Sequence, residues 1–297
     1  MADLLNRRSD GARRLRTLLA GGETVVAPGA YDALSARLVE AEGFPIVYMT
    51  GFGVTASLIG RPDVGLLTMT EMVATARRIV STVDVPVIAD ADTGYGNALN
   101  VVRTVQEYEA AGVAAIHLED QVAPKKCGHM EGKHVVPASE AAGKIRAAVA
   151  ARQHPDFTLI ARTDARAVEG LDAAIDRAKR YRDAGADVLF VEALRDQKEI
   201  ERVAEVFHDV PLLFNWAEGG MTPPISLERI TELGFRIVIY PISTVLAATC
   251  GVREVLDRIK QDGSPINAVK NLPRFGEFTE TVGFAEVQEV ARRFGDG

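Results

Sequence analysis

Two carboxylates set one residue apart, in Asp90-Ala91-Asp92-Thr93-Gly94-Tyr95-Gly96-Asn97, are the first residues of this sequence whose types and spacing could do chemistry. At a strand end such a pair can converge on a hard divalent cation, and Mg2+ there keeps several waters and leaves positions for substrate oxygens. The glycines let the chain turn sharply, and Asn97 can cap a following helix. A capped turn without an ion is the alternative. Glu119, which ends another apolar run and could reach the same ion directly or through water, weighs against it.

A second concentration is the loop Pro124-Lys125-Lys126-Cys127-Gly128-His129-Met130-Glu131-Gly132-Lys133, which is long, charged and glycine-bearing and reads as a gate. Cationic neighbours Lys125, Lys126 and His129 on an exposed segment would lower the Cys127 thiol pKa. A zinc site would need more thiols or histidines at ligand spacing. A Cys-His nucleophile pair and a plain surface thiol both stay open. Cys250, inside the helical run 245–252, reads as a small core residue. His117 reads as a satisfied barrel histidine, and Trp216 as pocket wall or simple packing. Arg162 sits at a run's end among carboxylates, where a fork of N–H groups suits a substrate carboxylate better than an internal pair with Glu192 or Asp164.

These residues must be held by something regular. Short apolar, β-rich runs occur at 24–27, 46–49, 85–89, 115–118, 158–161, 188–191, 212–214 and 237–239. Between them, apolar residues recur at helical spacing over 32–41, 70–80, 97–111, 138–151, 171–184 and 226–233. Thr70 and Ser226 are plausible N-caps, and Gly43, Gly112, Gly185 and Gly234 follow the last helical turns. Helix, glycine, strand is the repeating unit of a parallel sheet. Eight such units without a G-x-G-x-x-G after the first predict an α/β fold, a (β/α)8 TIM-type barrel over residues 1–262. In that fold catalytic groups project from the strands' C-terminal ends. The residues there are Asp32, Tyr48, Thr50, Asp90, Asp92, Glu119, Asp120, Arg162, Asp164, Glu192, Asn215 and Tyr240. A helical tail, 263–297, carries Phe275, Phe278, Val282, Phe284, Val287 and Val290 and needs a surface, so it is expected to pack on a neighbouring subunit.

Bulk properties narrow the rest. A composition of 47% hydrophobic and 25% charged residues is that of an ordinary globular protein, not a disordered or fibrous one. The formal net charge of -7 argues against nucleic acid or an anionic membrane as partner. Arg7, Arg8, Arg13, Arg14 and Arg16 read as the solvated face of an N-terminal helix. Two cysteines make no disulfide framework. No apolar run is long enough to span a bilayer and residues 1–16 lack a signal core, so a cytoplasmic protein is expected.

The stretches Pro28-Gly29-Ala30-Tyr31-Asp32-Ala33-Leu34-Ser35-Ala36, Asp90 through Asn97, Leu118-Glu119-Asp120-Gln121, Lys125 through His129, Ile160-Ala161-Arg162-Thr163-Asp164-Ala165 and Tyr240-Pro241 resemble the isocitrate lyase and phosphoenolpyruvate mutase superfamily over nearly the whole chain. The resemblance implies a barrel whose last helix is swapped between paired subunits, a homotetramer, and Mg2+ (Mn2+ able to substitute) held through Asp90, Asp92 and Glu119, partly by water. The Lys-Lys-Cys-Gly-His loop is similar to that of the methylisocitrate, dimethylmalate and alkylmalate lyases and of carboxyphosphonoenolpyruvate mutase. By that analogy Cys127 is a general acid, and Lys125, Tyr48 and His129 are further catalytic candidates. Thr50, Gly51, Phe52, Asp63, Gly128, Arg162, Glu192 and Asn215 would bind a small carboxylate substrate. Two departures matter: Leu246 stands where methylisocitrate lyases carry a distal arginine, and Met130-Glu131-Gly132-Lys133 differs from their loop. The expected activity is therefore cleavage of a 2-alkylmalate or dimethylmalate, with Arg274 a candidate for distal charge. Phosphonomutase, methylisocitrate lyase, oxaloacetate hydrolase or decarboxylase, and an inactive binding barrel are the alternatives.

Overall fold

The computed structural model describes residues 4–5 and 9–295. Arg7 and Arg8 lie outside the described residues. Eight strands appear where the apolar runs predict them: β1 (Val25–Ala30), β2 (Val47–Met49), β3 (Val87–Asp90), β4 (Ala115–Glu119), β5 (Thr158–Thr163), β6 (Val188–Val191), β7 (Leu213–Asn215) and β8 (Ile237–Tyr240). All neighbours pair in parallel, in the order β6-β5-β4-β3-β2-β1-β8-β7. A parallel bridge from Leu189 to Leu212 joins the two ends, so the sheet is a nearly closed (β/α)8 barrel of the TIM type.

Side chains alternate in and out along a strand. One apolar cluster fills the barrel's interior with Val25, Ala27, Tyr48, Ile88, Ala115, Ile160, Phe190, Leu213 and Ile239, while the intervening residues join the layer between sheet and helices. The N-terminal helix Gly11–Ala20 adds Leu15 and Leu19 to the inner cluster. Here the expected solvated basic face is only partly realised. Arg13 is exposed, but Arg14 donates to the Asp84 carbonyl and Arg16 pairs with Asp187 at 2.8 Å, fastening the helix to the loops around it.

Several helix signals differ from expectation. Thr68, not Thr70, caps Met69–Val80, because Glu71 reaches back to the Thr68 N–H at 2.8 Å in a capping box. Ser226 caps Leu227–Glu232 and Asn97 caps Ala98–Ala110. Gly43, Gly112, Gly185 and Gly234 all have positive φ. Helices Gly51–Ile59 and Gln197–Val206 lacked a sequence assignment.

The last long helix, Ser243–Asp262, has no buried residue. Cys250 on it is exposed, which overturns the core assignment: only the helix's first turn touches the barrel, where Thr244 donates to the Gly29 carbonyl at 2.7 Å, and the turns beyond leave their apolar side uncovered within the chain. Beyond Gly263, Phe275–Thr281 and Phe284–Phe294 also leave phenylalanines uncovered, with Phe275 84% exposed. Among the described residues no helix is long and apolar enough to cross a membrane.

Candidate active site

The inward phase of the strands carries the polar residues into one place. In β3, Asp90 follows Ile88 by two; in β4, His117 and Glu119 follow Ala115; in β5, Arg162 follows Ile160. Register then sets them side by side, Asp90 against His117 and Glu119 against Arg162. A cleft at the C-terminal ends of the strands is lined by Tyr48, Thr50, Phe52, Asp63, Asp90, Cys127, Gly128, His129, Arg162, Glu192 and Asn215 among others. Those eleven are all predicted site residues. Gly51, Asp92, Glu119 and Lys125 stand directly behind them.

Asp90 is the hub of the acidic side. Its Oδ1 accepts the Asp92 N–H at 2.9 Å and its Oδ2 the Gly51 N–H at 3.3 Å. A Cβ on Gly51 would lie 2.5 Å from that Oδ2, so only glycine allows the approach. Asp92 has φ +47° and opens a run in which Gly94, Tyr95 and Gly96 also have positive φ, the sharp turn its sequence requires. Burial pushes the Asp92 carboxyl up to about 7, with Lys125 pulling it down and Asp90 and Asp63 adding to the rise. Burial likewise pushes Glu119 well up, although Arg162 opposes it.

The donor set suits a hard, hydrated cation. Among the described residues no three Asp, Glu, His or Cys groups stand close enough to grip an ion by side chains alone. Yet Glu119 Oε1 is buried without a hydrogen-bond partner, beside carboxylates of the hardness Mg2+ prefers, as expected where water completes the coordination.

Across the cleft, the gate is docked. Lys125 Nζ lies 2.5 Å from Asp63 Oδ1 and 2.7 Å from Asp92 Oδ1, and the Cys127 N–H donates to the Asp63 carbonyl at 3.0 Å. Burial disfavours the Lys125 ammonium, but Asp92, Asp90, Asp63 and Glu119 hold its pKa well above the ordinary value. Here the expectation for Cys127 is corrected. The thiol is half-buried and burial pushes its pKa up, with Asp63 and Glu192 adding to the rise against the His129 backbone N–H and Arg162, while Lys125 is spent on carboxylates and Lys126 on the Glu131 carbonyl at 3.3 Å. A thiol held neutral is a proton donor rather than a standing nucleophile.

Arg162 is corrected in part. It lines the cleft, but its Nε and Nη2 grip both oxygens of Asp164 at 2.9 and 3.0 Å, with Glu119 at 3.2 Å and Glu192 at 3.6 Å. The internal pair that the sequence reading ranked second is thus formed, and it aims the guanidinium. His129 accepts the Met221 N–H at 3.1 Å on Nδ1 and turns Nε2 toward Asn215 at 3.3 Å. Asn215 in turn donates to Glu192 Oε2 at 2.9 Å. His117 is buried and interior as expected, but it also bonds to the site: Nε2 lies 2.7 Å from Tyr48 Oη and 3.4 Å from Asp90 Oδ1.

The sequence reading missed Phe190, Met130, the 217–220 segment, Ile239 and Ile242 as lining residues. The Gly219-Gly220 pair after β7 was the available signal for that segment: a Cβ on Gly220 would lie 2.8 Å from the His129 ring. Leu246 and Arg274 do not line the cleft; its apolar wall on that side is Ile239, Pro241 and Ile242.

A TIM-type barrel with a carboxylate cluster and a cysteine-bearing loop at its C-terminal rim is an enzyme fold of a recognisable kind. The chain belongs to the phosphoenolpyruvate phosphomutase family, whose model matches residues 15–260, within the PEP mutase/isocitrate lyase superfamily of carbon–carbon lyases and mutases. It is 47% identical over 286 residues to 2,3-dimethylmalate lyase of Eubacterium barkeri, covering 96% of this chain and 99% of that one. Oxaloacetate acetylhydrolase in complex with 3,3-difluorooxalacetate superposes with TM-score 0.93 at 39% identity, over 98% of this chain and 99% of the other. Phosphonopyruvate hydrolase, solved with oxalate and Mg++, gives TM-score 0.87 at 35% identity over 96% and 99%.

Proposed function

We propose that this protein is a Mg2+-dependent lyase that splits a 2-hydroxy dicarboxylate of the 2-alkylmalate or 2,3-dimethylmalate type into a 2-oxo acid and a second carboxylate. The observation that carries the reading is Cys127: a thiol kept protonated by burial, on a loop docked over a cleft that holds Arg162. The 2,3-dimethylmalate lyase relative supports the substrate class. So does the cleft itself, since among the described residues Arg162 is its only lining Lys or Arg and three carboxylates already surround it. A third anionic arm on the substrate would find no further cation, whereas an alkyl group would meet Ile239, Pro241 and Ile242.

Asp90, Asp92 and Glu119, partly through water, would hold Mg2+, which would supply positive charge against the 2-oxygen and its neighbouring carboxylate. That carboxylate also meets Thr50 and Phe52 at the start of the helix Gly51–Ile59, where the Gly51 and Gly53 N–H groups are engaged by Asp90 and Thr50. Tyr48 accepts the 2-hydroxyl proton as its own passes toward His117 Nε2 at 2.7 Å. The bond between C2 and C3 then breaks, its electron pair moves into the departing carboxylate as an enediolate, and Cys127 Sγ–H protonates that carbon. Arg162, His129, Asn215 and the Gly128 backbone bind the departing carboxylate, and Glu192 holds Arg162 and Asn215 in place.

The exposed apolar side of the helix Ser243–Asp262 supports a homotetramer of helix-swapped dimers. On the barrel wall between β1 and β8 runs an apolar groove including Val26, Leu38, Phe44, Leu227 and Ala247, which a helix of a second copy would cover. The tail 263–297 would pack on the same neighbour.

The test is a panel of 2,3-dimethylmalate, 2-ethylmalate, 2-methylisocitrate, oxaloacetate and phosphonopyruvate with Mg2+, following release of a 2-oxo acid. The reading expects the highest kcat/KM with one of the two alkylmalates. Preference for 2-methylisocitrate, or turnover of oxaloacetate or phosphonopyruvate alone, would overturn it.

A further inference from the structure

Lys133, at the far end of the gate, has a side chain 1% exposed, which is rare for a lysine unless its ammonium is fully engaged. It is engaged at two points. Nζ donates to the carbonyl of Gly128, next to Cys127, and to Asp164 Oδ1 at 3.0 Å. Asp164 is itself fixed: its N–H is held by Asp120 Oδ1 at 2.9 Å, and its two oxygens receive the fork of Arg162. One buried carboxylate therefore takes both the latch of the loop and the arginine of the cleft. Between the latch points, Met130 N–H closes on the Cys127 carbonyl at 2.9 Å and Gly132 turns with φ +73°. Residues 127–133 thus form a short hoop whose free end is tied back to its start and to the end of β5.

We propose that Lys133 is a positioning residue, a latch that seats Cys127 over the cleft by tying the Gly128 carbonyl to the Asp164–Arg162 pair. Its role in turnover rests on the lyase reading; its role in seating the thiol does not. Without the ammonium, the Gly128 carbonyl loses its partner and the hoop loses its link to β5, while Arg162 and Asp164 remain paired. The loop then opens more often, and the thiol is presented to solvent instead of to the reacting carbon.

Lys133→Met keeps the aliphatic stem and removes only the donors. Alkylation of Cys127 by iodoacetamide, read by mass spectrometry of the purified full chain at fixed pH, should speed up by about tenfold or more, the factor lost with one charge-assisted hydrogen bond. Amide exchange over 124–133 should speed up with it. The effect on turnover should fall on kcat more than on KM. Asp164→Asn loosens the other end of the same latch and should also accelerate alkylation. The double variant should then gain little beyond the larger single effect. This second arm stands if Lys133→Met does not fold. Alkylation within about twofold of wild type in every folded variant overturns the latch, whatever happens to activity. Faster alkylation in a protein whose wild type turns over none of the panel leaves the latch in place and removes the lyase reading instead.

Discussion

Arg162 and Asp164 face each other two residues apart at the end of β5, the guanidinium Nε on one carboxylate oxygen at 2.9 Å and Nη2 on the other at 3.0 Å. Surrounding charges hold Asp164 down at about 2 although burial alone would raise it, so the pair is ionised across the working pH range. A planar fork held this way presents its remaining N–H groups in a fixed direction, which an ammonium cannot copy. Arg162→Lys should lower kcat/KM by about 10²-fold while the circular dichroism spectrum is retained. Full activity in that variant would show that charge alone suffices.

Cys127 gives a prediction in two readings of one atom. Serine at this position keeps the shape but is a far weaker acid, so Cys127→Ser should lose about 10²–10⁴ in kcat. Because burial raises the thiol's pKa, its alkylation should be slow at neutral pH and climb only above the ordinary thiol range of about 8.5. A small thiol free in the same solution provides the reference. Labelling of Cys127 as fast as that thiol at pH 7 would contradict a neutral, seated Cys127.

Gly128 is required by space rather than by turn geometry. A Cβ there would stand 2.5 Å from Arg162 Nη2 and 2.8 Å from two Glu192 carbons. Gly128→Ala must therefore lift the loop or push the arginine aside, and a displacement of about 1 Å in a reacting group costs on the order of 10²-fold. Steady-state kinetics beside a melting curve would check it, the expectation being a large loss of kcat with little change in Tm.

Asp92 links pH to stability and metal. Its folded pKa of about 7 lies above the ordinary carboxylate value, so the stability carried by its neutral form is complete below about pH 4 and lost as pH rises through 7. Metal-free protein should show a Tm that falls between about pH 4 and 7, and Asp92→Asn should flatten that fall. Mg2+ held as proposed would favour the ionised carboxylates, so it should raise the wild-type Tm at the upper end and restore activity removed by a chelator. Turnover indifferent to chelation would remove the ion from the mechanism.

The uncovered helix predicts assembly. Val252 and Leu256 are 58% and 57% exposed on Ser243–Asp262 in the single chain. A charge at both positions, Val252→Asp with Leu256→Asp, should turn the proposed tetramer into smaller species in sedimentation or light scattering. A wild-type protein that runs as a monomer at micromolar concentration would remove the swapped arrangement.

What the sequence determined by itself was the eightfold repeat and the rim. Strand runs and C-terminal glycines are local signals, since a period of two and a positive φ are properties of a few adjacent residues. Asp90, Glu119, Arg162, Glu192 and Asn215 were legible because a strand's last inward residue in this fold faces the rim. The tertiary structure decided who pairs with whom. Lys125 and Lys133 look like loop charges in sequence, yet both are buried on carboxylates from other strands and loops, and burial of the loop is also what reverses the expected direction of the Cys127 pKa. The contact of His117 with Tyr48 and the exposure of Cys250 depend on register and on which surface a helix meets. Such long-range partners leave no trace in local spacing, because the energy that selects them arises only when the barrel closes.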